Sequence, residues 1–425
     1  MSAISAAAAA SGAANGVQQP EGRFHALDAL RAFVLLLGVV FHTTIAYVVP
    51  PDGSWAVGTL DTSYPLWWFI VYSHSFRMSV FYLLAGFFAS LVIGRKGMSA
   101  FLRDRVRRIL LVFLVAVYPI KLVVTAIWID GGVLSGWIQF PPELASMPLW
   151  DITVWAIKRE AWPAIPTAHL WFLYYLLLIT GAFLLPRALA LRTGAGSERV
   201  LQSMDRGFRR AISSRLAPVG LALLILPMMS LMQRYSMDTP DKTVAVQFRI
   251  LLVYTLYFGI GWWLHRQVDL LEVFARRWKV LLPLGLAMSV LNWGADYLQV
   301  FGEPGQAFRW AGLFVSGLTM SLNVLGWIGL FVAVLRQPSP AARYLADSSY
   351  WIYLAHIPIV TGLQVWFYEW DSVWLKLLVI NAISFGLLFA SYHAGVRFTW
   401  LGRWLTGPRQ ATPVLATAWQ SRLTS

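Results

Sequence analysis

Ten separate stretches of this chain are apolar over about the length that a membrane demands, roughly 20 residues for a hydrocarbon core of ~30 Å. They lie near 26–49, 65–93, 106–129, 169–190, 216–232, 247–264, 280–297, 309–335, 348–367 and 373–395. In lipid a backbone must satisfy its own hydrogen bonds, and apolar helices do so segment by segment. The expectation is an all-α, polytopic integral membrane bundle of about ten transmembrane helices. The 148–168 segment, with Trp150, Trp155, Trp162, Pro163 and Pro166, is aromatic but short and interrupted. It reads as an interfacial helix or loop. With 58% hydrophobic and 13% charged residues among 425, a soluble globular enzyme is excluded. The absence of cysteine excludes a disulfide scaffold.

A net charge of +14 often points to nucleic acid, but here the basic residues sit between apolar runs, and no nucleic-acid partner is expected. With the N-terminus inside, 24 of the 34 Lys and Arg residues fall in inside segments, seven fall outside, and Arg31, Arg77 and Lys121 lie within spans. The positive-inside rule then places both termini in the cytoplasm. The loop 233–249 fits least well, because it carries three basic residues outside. Residues 1–22, with no charge before Glu21, read as a disordered tail rather than a signal peptide. Residues 23–404 read as the transmembrane domain and 405–425 as a cytoplasmic tail.

Ionisable side chains within a span are costly and usually face a cavity or a partner. On the first span Arg31 and His42 are 11 residues apart. Eleven steps leave them about 20° apart on one helix face and about 16 Å apart along the axis. Asp28, three residues before Arg31, can pair with it. On the second span His74 and Arg77 share a face. By position both His42 and His74 lie roughly 10–14 Å below the outer surface. Two imidazoles and a guanidinium can therefore meet at one depth; independent structural contacts are the alternative. Lys121 either lines a cavity or snorkels outward. His169 begins the fourth span and His356 sits midway along the ninth, and each alone suits a structural role. The loop between the second and third spans, read as Arg103-Asp104-Arg105-Val106-Arg107-Arg108, is either simple topology or a cationic rim for a phosphorylated ligand.

The chain has no Gly-x-Ser-x-Gly elbow, no Walker A sequence, no HExxH and no cysteine nucleophile, and no metal site is expected. A histidine acting as general base on a hydroxyl fits what remains. The acceptor would come from outside and the activated donor from the basic inside.

These residues resemble the membrane acyltransferase-3 family, whose signature Arg and His on the first span are matched by Arg31 and His42. The resemblance extends to its glucan biosynthesis protein C branch through "LDALRAFVLLLGVVFH" (27–42), "HSFRMSVFYLLAGFF" (74–88), "HLWFL" (169–173) and "SSYWIYLAHIPI" (348–359). Ala85-Gly86-Phe87 departs from the family's usual Ser-Gly-Phe or Ser-Gly-Tyr, which argues against a catalytic hydroxyl there. The resemblance implies transfer of an acyl group, succinyl in that branch, from cytoplasmic acyl-CoA to a periplasmic glucan across the bacterial inner membrane. It makes His42 the general base and Arg31 a donor contact, with Arg77 and His74 positioning the thioester or acyl carboxylate. Asp28, Arg105, Arg108, Lys121, His169, Trp171, Tyr353 and His356 become substrate or acyl-CoA contacts. Acyl-CoA is then a donor substrate, not a resident cofactor. A buried cation such as Arg77 or Lys121 would suit a dicarboxylic acyl chain. An O-acetyltransferase of another polysaccharide, a transporter of glycan or lipid-linked sugar, and a polytopic glycosyltransferase remain alternatives. Oligomeric state stays open.

Overall fold

A computed structural model describes residues 22–160, 167–192, 198–240 and 243–407. Residues 1–21 and 408–425 of the two expected tails lie outside the described residues, as do Trp162, Pro163 and Pro166 of the 148–168 segment. Within them the chain is all-helical, with no strand element. The helices are α1 (Gly22–Ile45), α2 (Tyr64–Lys96), α3 (Met98–Leu134), α4 (Leu149–Ile157), α5 (Trp171–Arg192), α6 (Glu198–Ser213), α7 (Ala217–Met229), α8 (Phe248–Arg266), α9 (Leu270–Phe301), α10 (Gln306–Val334), α11 (Pro340–Trp366), α12 (Val373–Ser391) and α13 (Trp400–Thr406). Each of the ten apolar stretches falls on one of them.

Six of these helices are long and apolar enough to cross a membrane, and a seventh if α6 and α7, which meet at 113°, form one broken span. α6 carries six charged side chains in 16 residues, the pattern of a surface helix rather than half a span. The helices α8, α9 and α11 fall short for a physical reason. α8 buries Tyr254 and Tyr257, α9 buries Ser289, Asn292 and Asp296, and α11 buries Ser348, His356 and Gln364. These polar side chains turn inward, where protein rather than lipid surrounds them. By contrast α3 and α12 are the most apolar and least buried, with Leu114, Val115, Leu378 and Leu387 exposed where lipid would lie.

α2 packs along α8, α1 along α11, and α9 with α10 forms a hairpin. Glycine sets the α2–α8 distance. A Cβ on Gly86 would lie 1.9 Å from the Phe258 carbonyl oxygen, and one on Gly261 would lie 1.8 Å from that of Leu83. The two backbones touch because neither residue has a side chain. This is what the glycine of Ala85-Gly86-Phe87 does.

One expectation is corrected. The basic run 103–108 is not a loop: the break between α2 and α3 is confined to Gly97 (φ 80), and α3 continues through a π-turn at Val106–Leu110. A π-turn frees backbone carbonyls. Here the Tyr350 hydroxyl donates to the Arg108 carbonyl at 2.6 Å and Trp404 Nε1 to that of Arg107 at 3.0 Å, tying α11 and α13 to the turn. The basic loop 233–249 also acquires a rationale. Arg249 pairs with Asp238 at 2.8 Å, and Arg234 lies 3.8 Å from Asp296.

Candidate active site

A cavity of about 640 Å³, within the size range of small-molecule sites, opens between α1, α2, α3, α11 and the turn before α5. It collects His42 from α1, His74 and Arg77 from α2, and Lys121 from α3. His169 and Trp171 from the start of α5 and Tyr353 and His356 from α11 also line it. The expected meeting of two imidazoles and a guanidinium is thus observed, with two further histidines added. Asp28, Arg31, Arg105 and Arg108 do not line it. Arg31 and Asp28 pair at 3.1 Å and line a second cavity of about 300 Å³ beside Arg343 and Asp347. The shared stripe on α1 therefore serves two separate cavities. Arg105 stacks on Phe101 at 4.8 Å. Arg108 bonds Asp104 at 2.9 Å and the Thr406 carbonyl at 3.3 Å.

Arg77 is 6% exposed, and its guanidinium lies over the Phe41 ring at 4.2 Å. Gly38 on α1 makes the room: a Cβ there would lie 3.1 Å from Arg77 Nη1. Nε and Nη1 make no hydrogen bond, and no carboxylate pairs with Arg77 among the described residues. A cation–π contact contributes about 2 kcal/mol when desolvated, less than the several that burying a cation costs. Lys121 differs. It is 5% exposed, so it does not snorkel, and it pairs with Glu160. Arg77 is thus the cavity's unneutralised cation. His74 Nε2 lies 3.2 Å from the Thr239 hydroxyl, and its Nδ1 has no partner.

The histidines are held by backbone. His356 Nδ1 lies 2.7 Å from the Tyr353 carbonyl, and His356 Nε2 lies 3.0 Å from His42 Nδ1. His169 Nε2 donates to the Leu354 carbonyl at 3.2 Å, and the Tyr353 hydroxyl donates to the His169 carbonyl at 3.0 Å. The motif explains why the Leu354 carbonyl is available. Pro358, four residues on, has no N–H to return the helical bond. Ala168, just before His169, has φ 48, a left-handed backbone that aims the turn into the cavity.

Residues not singled out from sequence complete the frame. The Trp55 ring lies parallel to His42, with centroids 5.7 Å apart and planes 7° apart. Trp55 Nε1 donates to Gln364 Oε1 at 2.8 Å, while Gln364 Nε2 donates to the carbonyls of His42 at 3.1 Å and Thr43 at 2.9 Å. Ring and backbone of His42 are thereby clamped between α11 and the loop after α1. No pattern in the sequence marks Trp55, because it lies in an irregular loop. Glu160, shortly after α4, carries no periodic signal either.

A clamped imidazole at a cavity wall, beside an unpaired cation, equips the site to deprotonate a hydroxyl and hold an anionic substrate. A family model described as "Acyltransferase domain" matches residues 24–406, nearly the whole chain. The proteins named "Glucans biosynthesis protein C" of Escherichia coli (strain SMS-3-5 / SECEC) and Escherichia coli (strain K12) are each 29% identical to it over 161 residues. That alignment covers 38% of this chain and 38% of each relative. No solved structure matches. The chain belongs to the acyltransferase-3 family of membrane acyltransferases.

Proposed function

We propose that this protein is a ten-span O-acyltransferase of the bacterial inner membrane, with both termini cytoplasmic. It moves a succinyl group from cytoplasmic succinyl-CoA to hydroxyls of a periplasmic glucan. The observation that carries this reading is the single cavity holding His42 beside the unpaired Arg77. The relatives' name supports the glucan, and the distribution of Lys and Arg supports the orientation. The acceptor hydroxyl gives its proton to His42 while its oxygen attacks the thioester carbonyl. The carbon–sulfur bond breaks, and the CoA thiolate recovers the proton from His42. One ester and one free thiol result, with no covalent enzyme intermediate. Arg77 pairs with the free carboxylate of the succinyl chain, supplying the anion that its own surroundings lack.

Mass spectrometry of periplasmic glucans from cells carrying wild-type or His42→Ala protein tests the reading. Succinylated glucan is expected with wild type and bare glucan with His42→Ala. Bare glucan with wild type overturns the acceptor assignment, and full modification with His42→Ala overturns the base.

A further inference from the structure

We infer that His356 is a positioning residue that fixes the tautomer of His42 and so decides which nitrogen faces the substrate; the inference rests on the acyl-transfer reading only for its kinetic consequence. A carbonyl oxygen can only accept a hydrogen bond. Because the Tyr353 carbonyl lies 2.7 Å from His356 Nδ1, that nitrogen carries the hydrogen. A neutral imidazole has one N–H, so His356 Nε2 is an acceptor. It lies 3.0 Å from His42 Nδ1, which must therefore be the donor. The lone pair of His42 is left on Nε2.

Burial agrees with this direction. His356 is 3% and His169 8% exposed, whereas His42 is only half-buried and keeps surface at the cavity wall. The chain Tyr353 carbonyl, His356, His42 thus delivers one basic nitrogen, much as a carboxylate orients the histidine of a hydrolase triad. It differs in ending on a neutral backbone carbonyl, which cannot accept a proton covalently. When His42 Nε2 takes the acceptor's proton, the positive charge is confined to the two hydrogen-bonded imidazoles, and His356 Nε2 stabilises it by accepting from Nδ1–H. The proton leaves by the same nitrogen, to the departing thiolate.

The test combines kinetics with nitrogen-15 NMR of the full-length protein, histidine-labelled, in detergent micelles. In wild type His42 is expected as the Nδ1–H tautomer, and in His356→Leu it reverts toward Nε2–H. An Nε2–H tautomer in wild type overturns the proposal. This readout needs no turnover, so it stands apart from failure of the acyl-transfer reading, which would show as an inactive wild type. With succinyl-CoA, His356→Leu should lose about 10²-fold or more in kcat while KM changes less than about threefold. His356→Gln, which offers Oε1 as an acceptor, should recover part of that loss. Unchanged kcat in His356→Leu contradicts the role. If His356→Leu does not fold, the wild-type tautomer and His356→Gln decide: a kcat unchanged from wild type or abolished in His356→Gln counts against the proposal.

Discussion

Gly86→Ala is the substitution whose cost the geometry specifies best. The added methyl would sit 1.9 Å from the Phe258 carbonyl oxygen and 2.7 Å from its carbon, where ordinary contact begins at 3.4 Å. Restoring that contact separates α2 from α8 by about 1.5 Å at the crossing (3.4 less 1.9). The obstacle is backbone, so no rotamer change relieves it. A gap of even 0.5–1 Å forfeits roughly a quarter to a half of the dispersion energy across an interface. The facing positions on α8 include Tyr254, Tyr257 and Phe258, all fully buried. Overpacking commonly costs about 1–3 kcal/mol, and an unrelieved clash between helices belongs at or above the upper end. Gly94, on the same helix, is the control. Nothing lies within 4 Å of a Cβ there, so Gly94→Ala should gain up to about 1 kcal/mol of helix propensity. Thermal unfolding in detergent, followed by loss of the monodisperse peak, should move in opposite directions for the two variants. Wild-type stability in Gly86→Ala, or equal destabilisation by both, refutes the reasoning. His74 and Arg77 lie on the same helix, so activity should fall with Gly86→Ala as well.

Arg77→Met should reduce kcat/KM for succinyl-CoA relative to acetyl-CoA by roughly 30- to 1,000-fold, the worth of about 2–4 kcal/mol for a desolvated charge-assisted pair; an unchanged ratio in competition assays removes the carboxylate role. Glu160→Gln should destabilise by about 3 kcal/mol, because it strands the buried Lys121, and adding Lys121→Met should recover most of the loss in the melting temperature. Pro358→Ala returns an N–H to the Leu354 carbonyl and withdraws it from His169. Turnover should fall about tenfold while thermal stability holds or rises, and full turnover would deny His169 a part in the site.

Much of this site follows from one-dimensional rules. Position along a 1.5 Å rise puts His42 and His74 at one depth, and the fixed 100° step puts His74 and Arg77 on one face. Those residues do line one cavity. The same arithmetic places Arg31 on the His42 stripe yet cannot tell that a different cavity opens there. Lys121 leaves two outcomes open because its partner, Glu160, lies in an irregular segment with no periodicity. Trp55 and Gln364 are 309 residues apart, and His42 and His356 are 314 apart. No local pattern encodes such pairs. The helical course of residues 103–108 is hidden for another reason: charge density suggests a loop, but tertiary bonds from Tyr350 and Trp404 hold a π-turn there. The span count is hardest to read from hydropathy, since α8, α9 and α11 carry polar side chains that turn inward and lower their mean hydropathy.

The most direct test of the account uses purified protein in proteoliposomes, labelled succinyl-CoA and a soluble glucan acceptor. Label is expected in an alkali-labile ester on the glucan with one free thiol per ester, and neither product is expected with His42→Ala at unchanged donor binding. Equal transfer by His42→Ala, or release of free succinate with no glucan ester from wild type, would contradict it.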